Sequence, residues 1–111
     1  MLTRAVEEQD PRAAVLVAET AERTRLGFIS LRVIEDPITA GERAHIADVA
    51  VAAAAHRSGV GRALMRAAEA WARDRGLEIV SLDVWSANQG ALTFYRALGY
   101  TIESLGLVKR L

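Results

Sequence analysis

Residues 46–65 restrict what this chain can fold into more than any other stretch. An apolar run, Ile46-Ala47-Asp48-Val49-Ala50-Val51, passes through four alanines at 52–55 into His56-Arg57-Ser58-Gly59-Val60-Gly61-Arg62-Ala63-Leu64-Met65. Beyond Gly59 the apolar residues Val60, Ala63, Leu64, Ala67 and Trp71 recur at three and four positions, the spacing of one helical face. The stretch therefore reads as a strand, a small-residue bend and a glycine turn that opens a helix. Two glycines two apart, with arginines at 57 and 62, place backbone N–H groups at the positive end of a helix macrodipole, which suits a phosphate ligand. Cations there oppose the dipole unless an anion joins them. Standing alone, so short a motif equally describes a strand-to-helix connection without a ligand.

The flanking sequence fills in an α+β pattern. Residues 2–9 carry Leu2 and Val6 on one side of a short helix that Asp10-Pro11 ends. Two apolar runs, 13–20 and 26–34, joined by the polar residues 21–24, predict an antiparallel hairpin. Asp36-Pro37 and Gly41 mark a second reversal, and 45–51 returns as a third strand. The helix from Gly59 closes at Gly76, residues 78–85 are strand-like, and Asn88 N-caps a second helix carrying Ala91, Leu92, Tyr95 and Leu98 up to Gly99. The tail, 100–111, predicts one or two short strands broken near Gly106. With no repeat or linker, residues 1–111 read as a single domain with a mostly antiparallel sheet.

Composition removes several functions. The 111 residues hold 14 basic and 14 acidic side chains, a balance that gives no reason to expect nucleic acid as a partner. The chain has no cysteine, which excludes disulfides, thiolate metal sites and a thiol nucleophile, and no metal is expected. Met1-Leu2-Thr3-Arg4 leads directly into charged residues, and no apolar run approaches the roughly 18 residues of a membrane span. The expectation is a soluble, cytoplasmic protein with no membrane partner.

Two nucleotide motifs fail at the glycine turn. A P-loop requires Lys and Ser or Thr after its last glycine, where Arg62 and Ala63 stand; a dinucleotide fingerprint requires a third glycine, where Leu64 stands. What the stretch does resemble is the acetyl-CoA-binding motif of the GNAT superfamily of N-acetyltransferases, which reads Gln or Arg, two residues, Gly, one residue, Gly or Ala. His56 departs from its first position; Gly59 and Gly61 match. A second segment, Asn88-Gln89-Gly90-Ala91-Leu92-Thr93-Phe94-Tyr95-Arg96-Ala97-Leu98-Gly99-Tyr100, is similar to the family's Asn-x-x-Ala-x-x-Phe-Tyr-x-x-x-Gly-Phe. The likeness covers residues 13–111. It implies a GNAT-like fold that lacks the first strand and most of the first two helices of fuller members, through natural shortening, a truncated start, or a wall supplied by a homodimer partner.

The resemblance also implies roles. A pantetheine arm would hydrogen-bond the backbone near Val49 and Val51, and the pyrophosphate would sit over His56, Arg57, Ser58, Gly59, Val60, Gly61 and Arg62. The strand after the helix would splay away to make room. Tyr95 matches the family's general acid and would also contact the cofactor, and Asn88 would both cap its helix and bond the pantetheine.

Acetyl transfer to an amine further requires a proton acceptor. Asp48 is the leading carboxylate, because an acid in an apolar strand is costly to bury unless paired or used. Position 47, where many relatives carry an acid, is alanine. Simple alternation puts Asp48 on the face opposite His45, so Asp48 supports structure if His45 or a water chain handles the proton. Trp85 and Asp83 share the next strand, where Trp85 reads as a core residue.

The function implied is acetyl transfer from acetyl-CoA to a primary amine of a small molecule or protein. The rival is a non-catalytic acyl-CoA-binding or interaction module of the same fold, favoured by Ala47 and the short N-terminus.

Overall fold

A computed structural model describes residues 1–7 and 10–111. Its strands are β1 (Leu2–Glu7), β2 (Ala13–Glu19), β3 (Arg25–Glu35), β4 (Glu42–Val51) and β5 (Val80–Ser81), in that order across one sheet. The helices are α1 (Val60–Asp74) and α2 (Gln89–Ala97), with a short 3₁₀ turn at Ala53–Ala55. Strands β1 to β4 are antiparallel, whereas β5 runs parallel to β4 because α1 carries the chain back across the sheet.

Period-two patterning sorts the sheet into two faces. Ala14, Leu16 and Ala18 of β2, Ile29 and Leu31 of β3, and Ala44 and Ile46 of β4 are buried against Leu64, Met65, Ala68, Trp71 and Ala72 of α1. Helix α2 joins the same side: Phe94, Tyr95 and Leu98 are half-buried against this core, and the Tyr100 hydroxyl donates to Glu69 of α1 at 2.8 Å. No described helix covers the other face, where Val15, Val17, Phe28 and Ala50 line an apolar depression of about 640 Å³.

A bulge divides β4. Ser30 pairs with Asp48 and Leu31 with Ile46, so Ala47 has no partner on β3. The extra residue resets the alternation: Ala44 and Ile46 face α1, and beyond the bulge Val49 and Val51 do so. Asp48 therefore shares the helix-free face with His45, not the opposite face that simple alternation gives.

Four further expectations are corrected. Residues 2–7 form an edge strand instead of a helix, because the free edge of β2 satisfies their backbone groups, which an isolated helix of two turns does poorly; residues 8 and 9 of that expected helix lie outside the described residues. The strand expected over 78–85 shrinks to Val80–Ser81, since the chain leaves β4 after two paired rungs. Trp85 consequently projects beyond the core and is 88% exposed. Residues 101–111 form no regular structure, although Glu103 ties the tail to β4 through Arg43 at 2.7 and 2.8 Å.

Candidate functional site

The separation of β4 from β5 opens the candidate site. Among the described residues these strands pair only at Ala44↔Val80 and His45↔Ser81, so from Ile46 onward β4 pairs with no strand but β3, and its other edge is open to an added strand. A free edge is a row of backbone donors and acceptors to which an extended polar chain adds as a strand does. Val49 and Val51 lie on this edge. The Val51 carbonyl accepts a hydrogen bond from His56 Nε2 at 2.9 Å, so that nitrogen carries a proton and the ring folds back onto the strand end.

The free edge leads to the N-terminus of α1. Gly59 is its N-cap with φ 86°, a left-handed conformation that disfavours any Cβ, and Arg57 before it also has positive φ, 64°. Among the described residues no side chain caps the helix, and its first turn contains no acid. Since the first N–H groups of a helix have no intrahelical acceptor, those of Val60, Gly61 and Arg62 are presented outward. Arg57, Ser58 and Arg62 surround them on the exposed surface. Gly61 serves a close approach: a Cβ there would meet Phe94 Cζ of α2 at 3.3 Å and Val51 Cγ2 at 3.9 Å. The glycine turn, the end of β4 and α2 thus converge on one point.

Asn88 caps α2 as its sequence position predicts, accepting from the Ala91 N–H at 3.1 Å through Oδ1. Its amide nitrogen has no hydrogen-bond partner among the described residues. Tyr95, on the inner side of α2, packs edge-on against Phe94 and Tyr100, with ring centroids at 5.1 and 6.0 Å. Its hydroxyl has no hydrogen-bond partner among the described residues, and burial raises its pKa above the ordinary phenol value, so it is a proton donor at neutral pH. Tyr95 lines a cavity of about 810 Å³ together with His45, Ser81, Leu82 and Asp83. The glycine turn is not part of that cavity; it lies open on the surface beyond the other end of the free edge.

On the helix-free face, Asp48 is exposed and accepts from the Ser30 hydroxyl at 3.0 Å. The cost of burial that singled it out in the sequence therefore does not apply. The buried ionic residue of β4 is instead Arg43, clamped between Asp36 and Glu103. Asp36 accepts from the N–H groups of Ile38 and Thr39 at 2.8 and 3.0 Å, and these bonds, followed by Arg43, hold its pKa at about 2 against the opposing effect of burial. Nothing in the spacing of 36, 43 and 103 announces that cluster, nor the 2.9 Å contact between His45 Nδ1 and Ser81 Oγ.

Comparison with known proteins adds to this geometry. Residues 2–100 match the family model described as the Acetyltransferase (GNAT) family. The chain belongs to the GNAT acetyltransferase family. An aminoglycoside N(6')-acetyltransferase type 1 of Klebsiella aerogenes is 36% identical over 91 residues, covering 80% of this chain and 60% of the relative. The sequence thus spans about 60% of the length of that relative. Among solved structures, a Pyrococcus furiosus protein described provisionally as an acetyl transferase superposes with a TM-score of 0.82 at 30% identity, over 89% of this chain and 66% of that one. An aminoglycoside acetyltransferase from an uncultured soil metagenomic sample, solved in complex with sisomicin, gives a TM-score of 0.76 at 25% identity, over 93% and 67% of the two chains. The GNAT fold expected from the two sequence motifs is therefore the fold of this chain. No described helix of this GNAT chain is long and apolar enough to cross a membrane.

Proposed function

We propose that this GNAT chain transfers the acetyl group of acetyl-CoA directly to a primary amine, acting in the cytoplasm with residues 1–111 as one catalytic unit. The observation that carries the reading is the continuity of the free β4 edge, at Val49 and Val51, with the uncapped N-terminus of α1. Together they fit an extended amide-bearing arm that ends in a pyrophosphate. Acetyl-CoA supplies the activated acyl group as a thioester; the chain's own residues bind it, orient it and move protons. Arg57, Ser58, Gly59, Val60, Gly61 and Arg62 receive the pyrophosphate, and His56 leaves the Val51 carbonyl as the arm arrives. Asn88 donates to the arm through its free amide. Tyr95 protonates the departing thiolate.

The acceptor approaches from the helix-free face, where exposed Asp48 supplies a negative charge that draws an ammonium group. Similarity to aminoglycoside acetyltransferases makes polyamino sugars the first acceptors to test. The apolar depression on the open face also suits a second copy of the chain.

Calorimetry with acetyl-CoA, followed by thiol release with sisomicin, spermidine and an amino-terminal tripeptide, tests the proposal. Binding and turnover with at least one amine are expected, with Tyr95→Phe lowering kcat at least tenfold while the acetyl-CoA Kd stays within about twofold. No binding of acetyl-CoA overturns the reading. Binding with no turnover of any amine leaves the non-catalytic acyl-CoA-binding module.

A further inference from the structure

We propose that His45 and Ser81 form a proton relay for the acceptor amine at the vertex where β4 and β5 separate, with Asp83 as its positioning residue. The inference rests on the acetyltransferase reading above and names the proton acceptor that it lacks. Three observations support it.

The first is position. His45↔Ser81 is the last paired rung between β4 and β5 on the side where the strands part. An arm added along the free edge of Ile46 to Val51 runs toward that rung and stops there, because the gap closes. Its thioester end lies beside these two side chains.

The second is sidedness. Tyr95 belongs to the layer of α1 and α2, while alternation places His45, Ser81 and Asp83 on the helix-free face. One cavity is lined by all four residues. Direct attack by an amine needs a donor for the leaving thiolate and an acceptor for the amine proton on different sides of the carbonyl carbon, and this cavity provides both.

The third is chemistry. Nδ1 of His45 lies 2.9 Å from Ser81 Oγ, and Nε2 lies 3.6 Å from Asp83 Oδ2. A proton on Nε2 faces the carboxylate, which leaves Nδ1 as the acceptor of the Ser81 hydroxyl. The other charged groups near His45 have separate assignments. Arg32 is its paired neighbour on β3 and opposes an imidazolium, Arg43 is held by two carboxylates, Asp36 and Glu103, that more than offset its charge, and Asp48 beyond the bulge is bonded to Ser30. Asp83 is thus the carboxylate within ion-pair distance that offsets Arg32.

The step balances. The ammonium group first gives one proton to solvent, and the neutral amine nitrogen then forms the C–N bond as the C–S bond breaks. Its proton passes to Ser81 Oγ while the Ser81 proton passes to His45 Nδ1. The imidazolium, steadied by Asp83, returns its extra proton to solvent on the open face, where the Asp83 side chain is 93% exposed. Tyr95 protonates the thiolate and is reprotonated from solvent.

The test is the pH dependence of kcat for the wild type, His45→Gln, Ser81→Ala and Ser81→Thr, using sisomicin, spermidine and the tripeptide, alongside calorimetric Kd values for acetyl-CoA and melting curves. His45→Gln is expected to lose about 100-fold in kcat near pH 7 and to lose the wild-type fall in rate on the acid side of that profile. Ser81→Ala should lose at least tenfold and Ser81→Thr, which keeps the hydroxyl, should recover most of it, with acetyl-CoA Kd within about twofold throughout. A folded His45→Gln with wild-type kcat and an unchanged acid limb overturns the relay and leaves the acetyltransferase reading standing. So does Ser81→Ala at full activity, which guards against a His45 variant that fails to fold. A wild type that binds no acetyl-CoA overturns both.

Discussion

The two helices begin in opposite ways. Helix α2 starts at Asn88, whose side chain accepts from Ala91 at 3.1 Å, so one of its orphan donors is satisfied within the protein. Helix α1 starts at a left-handed Gly59 with no side-chain cap, no acid in its first turn, and arginines at 57 and 62. The same chain thus caps one helix from within and leaves the first backbone donors of the other without a side-chain cap among the described residues, at the place proposed for the pyrophosphate. The Asp36 turn shows what the occupied state of such donors looks like. There two backbone N–H groups grip a carboxylate strongly enough to hold its pKa at about 2. At α1 the matching anion would be the pyrophosphate of the proposed cosubstrate.

Filling the α1 donors with a side chain should have the largest effect. Gly61→Glu places a carboxylate where the pyrophosphate would sit, and acetyl-CoA affinity is expected to fall more than about 100-fold, near 2.7 kcal/mol, by calorimetry. Its melting temperature should also fall, because a Cβ at 61 meets Phe94 at 3.3 Å and forces that ring to move. A folded variant with unchanged affinity would remove the anion from α1 and end the contrast between the two helices. The Asp36 turn is checked by pH. Its folded pKa lies below the unfolded value of 3.8, so its stabilisation is fully present above about pH 4 and is lost as pH falls toward 2. Asp36→Asn should flatten the acid side of a stability profile measured by denaturant unfolding between those limits. An unchanged slope would mean that the turn does not hold its anion.

The contrast between the helices is partly legible in the amino-acid sequence. Gly59 and Gly61, followed by apolar residues at three and four spacing, specify a helix start without a capping side chain, and Asn88 followed by Ala91, Leu92 and Tyr95 specifies one with a cap. Both readings depend on residues near one another in the chain, where spacing alone decides. The bulge at Ala47 is not legible: Ile-Ala-Asp-Val alternates acceptably with or without an extra residue, and the register is set by β3. The same cause hides the face of Asp48 and the meeting of His45 with Ser81, 36 residues apart. Residues 78–85 carry strand-like composition, yet pairing needs a partner within reach, and β4 offers one only at Ala44 and His45. Arg43, Asp36 and Glu103 come together through a loop and a tail whose paths no periodicity encodes.

The smallest effect separates two duties of Asn88. Its Oδ1 caps α2, and its Nδ2 is the donor proposed for the arm of acetyl-CoA. Asn88→Ala removes both and should cost about 1 kcal/mol of stability, the usual value of an N-cap, together with affinity. Asn88→Asp retains an oxygen that caps as well as asparagine does, but it can no longer donate. Its melting curve should therefore match the wild type while acetyl-CoA binds about three- to tenfold more weakly, the worth of one hydrogen bond lost. Equal affinity in Asn88→Asp would confine Asn88 to capping and make the contrast sharper still, with α2 started wholly by the protein and α1 left for the ligand. A loss of stability in Asn88→Asp equal to that of Asn88→Ala would blunt it, since the cap would then need the amide and not merely an oxygen.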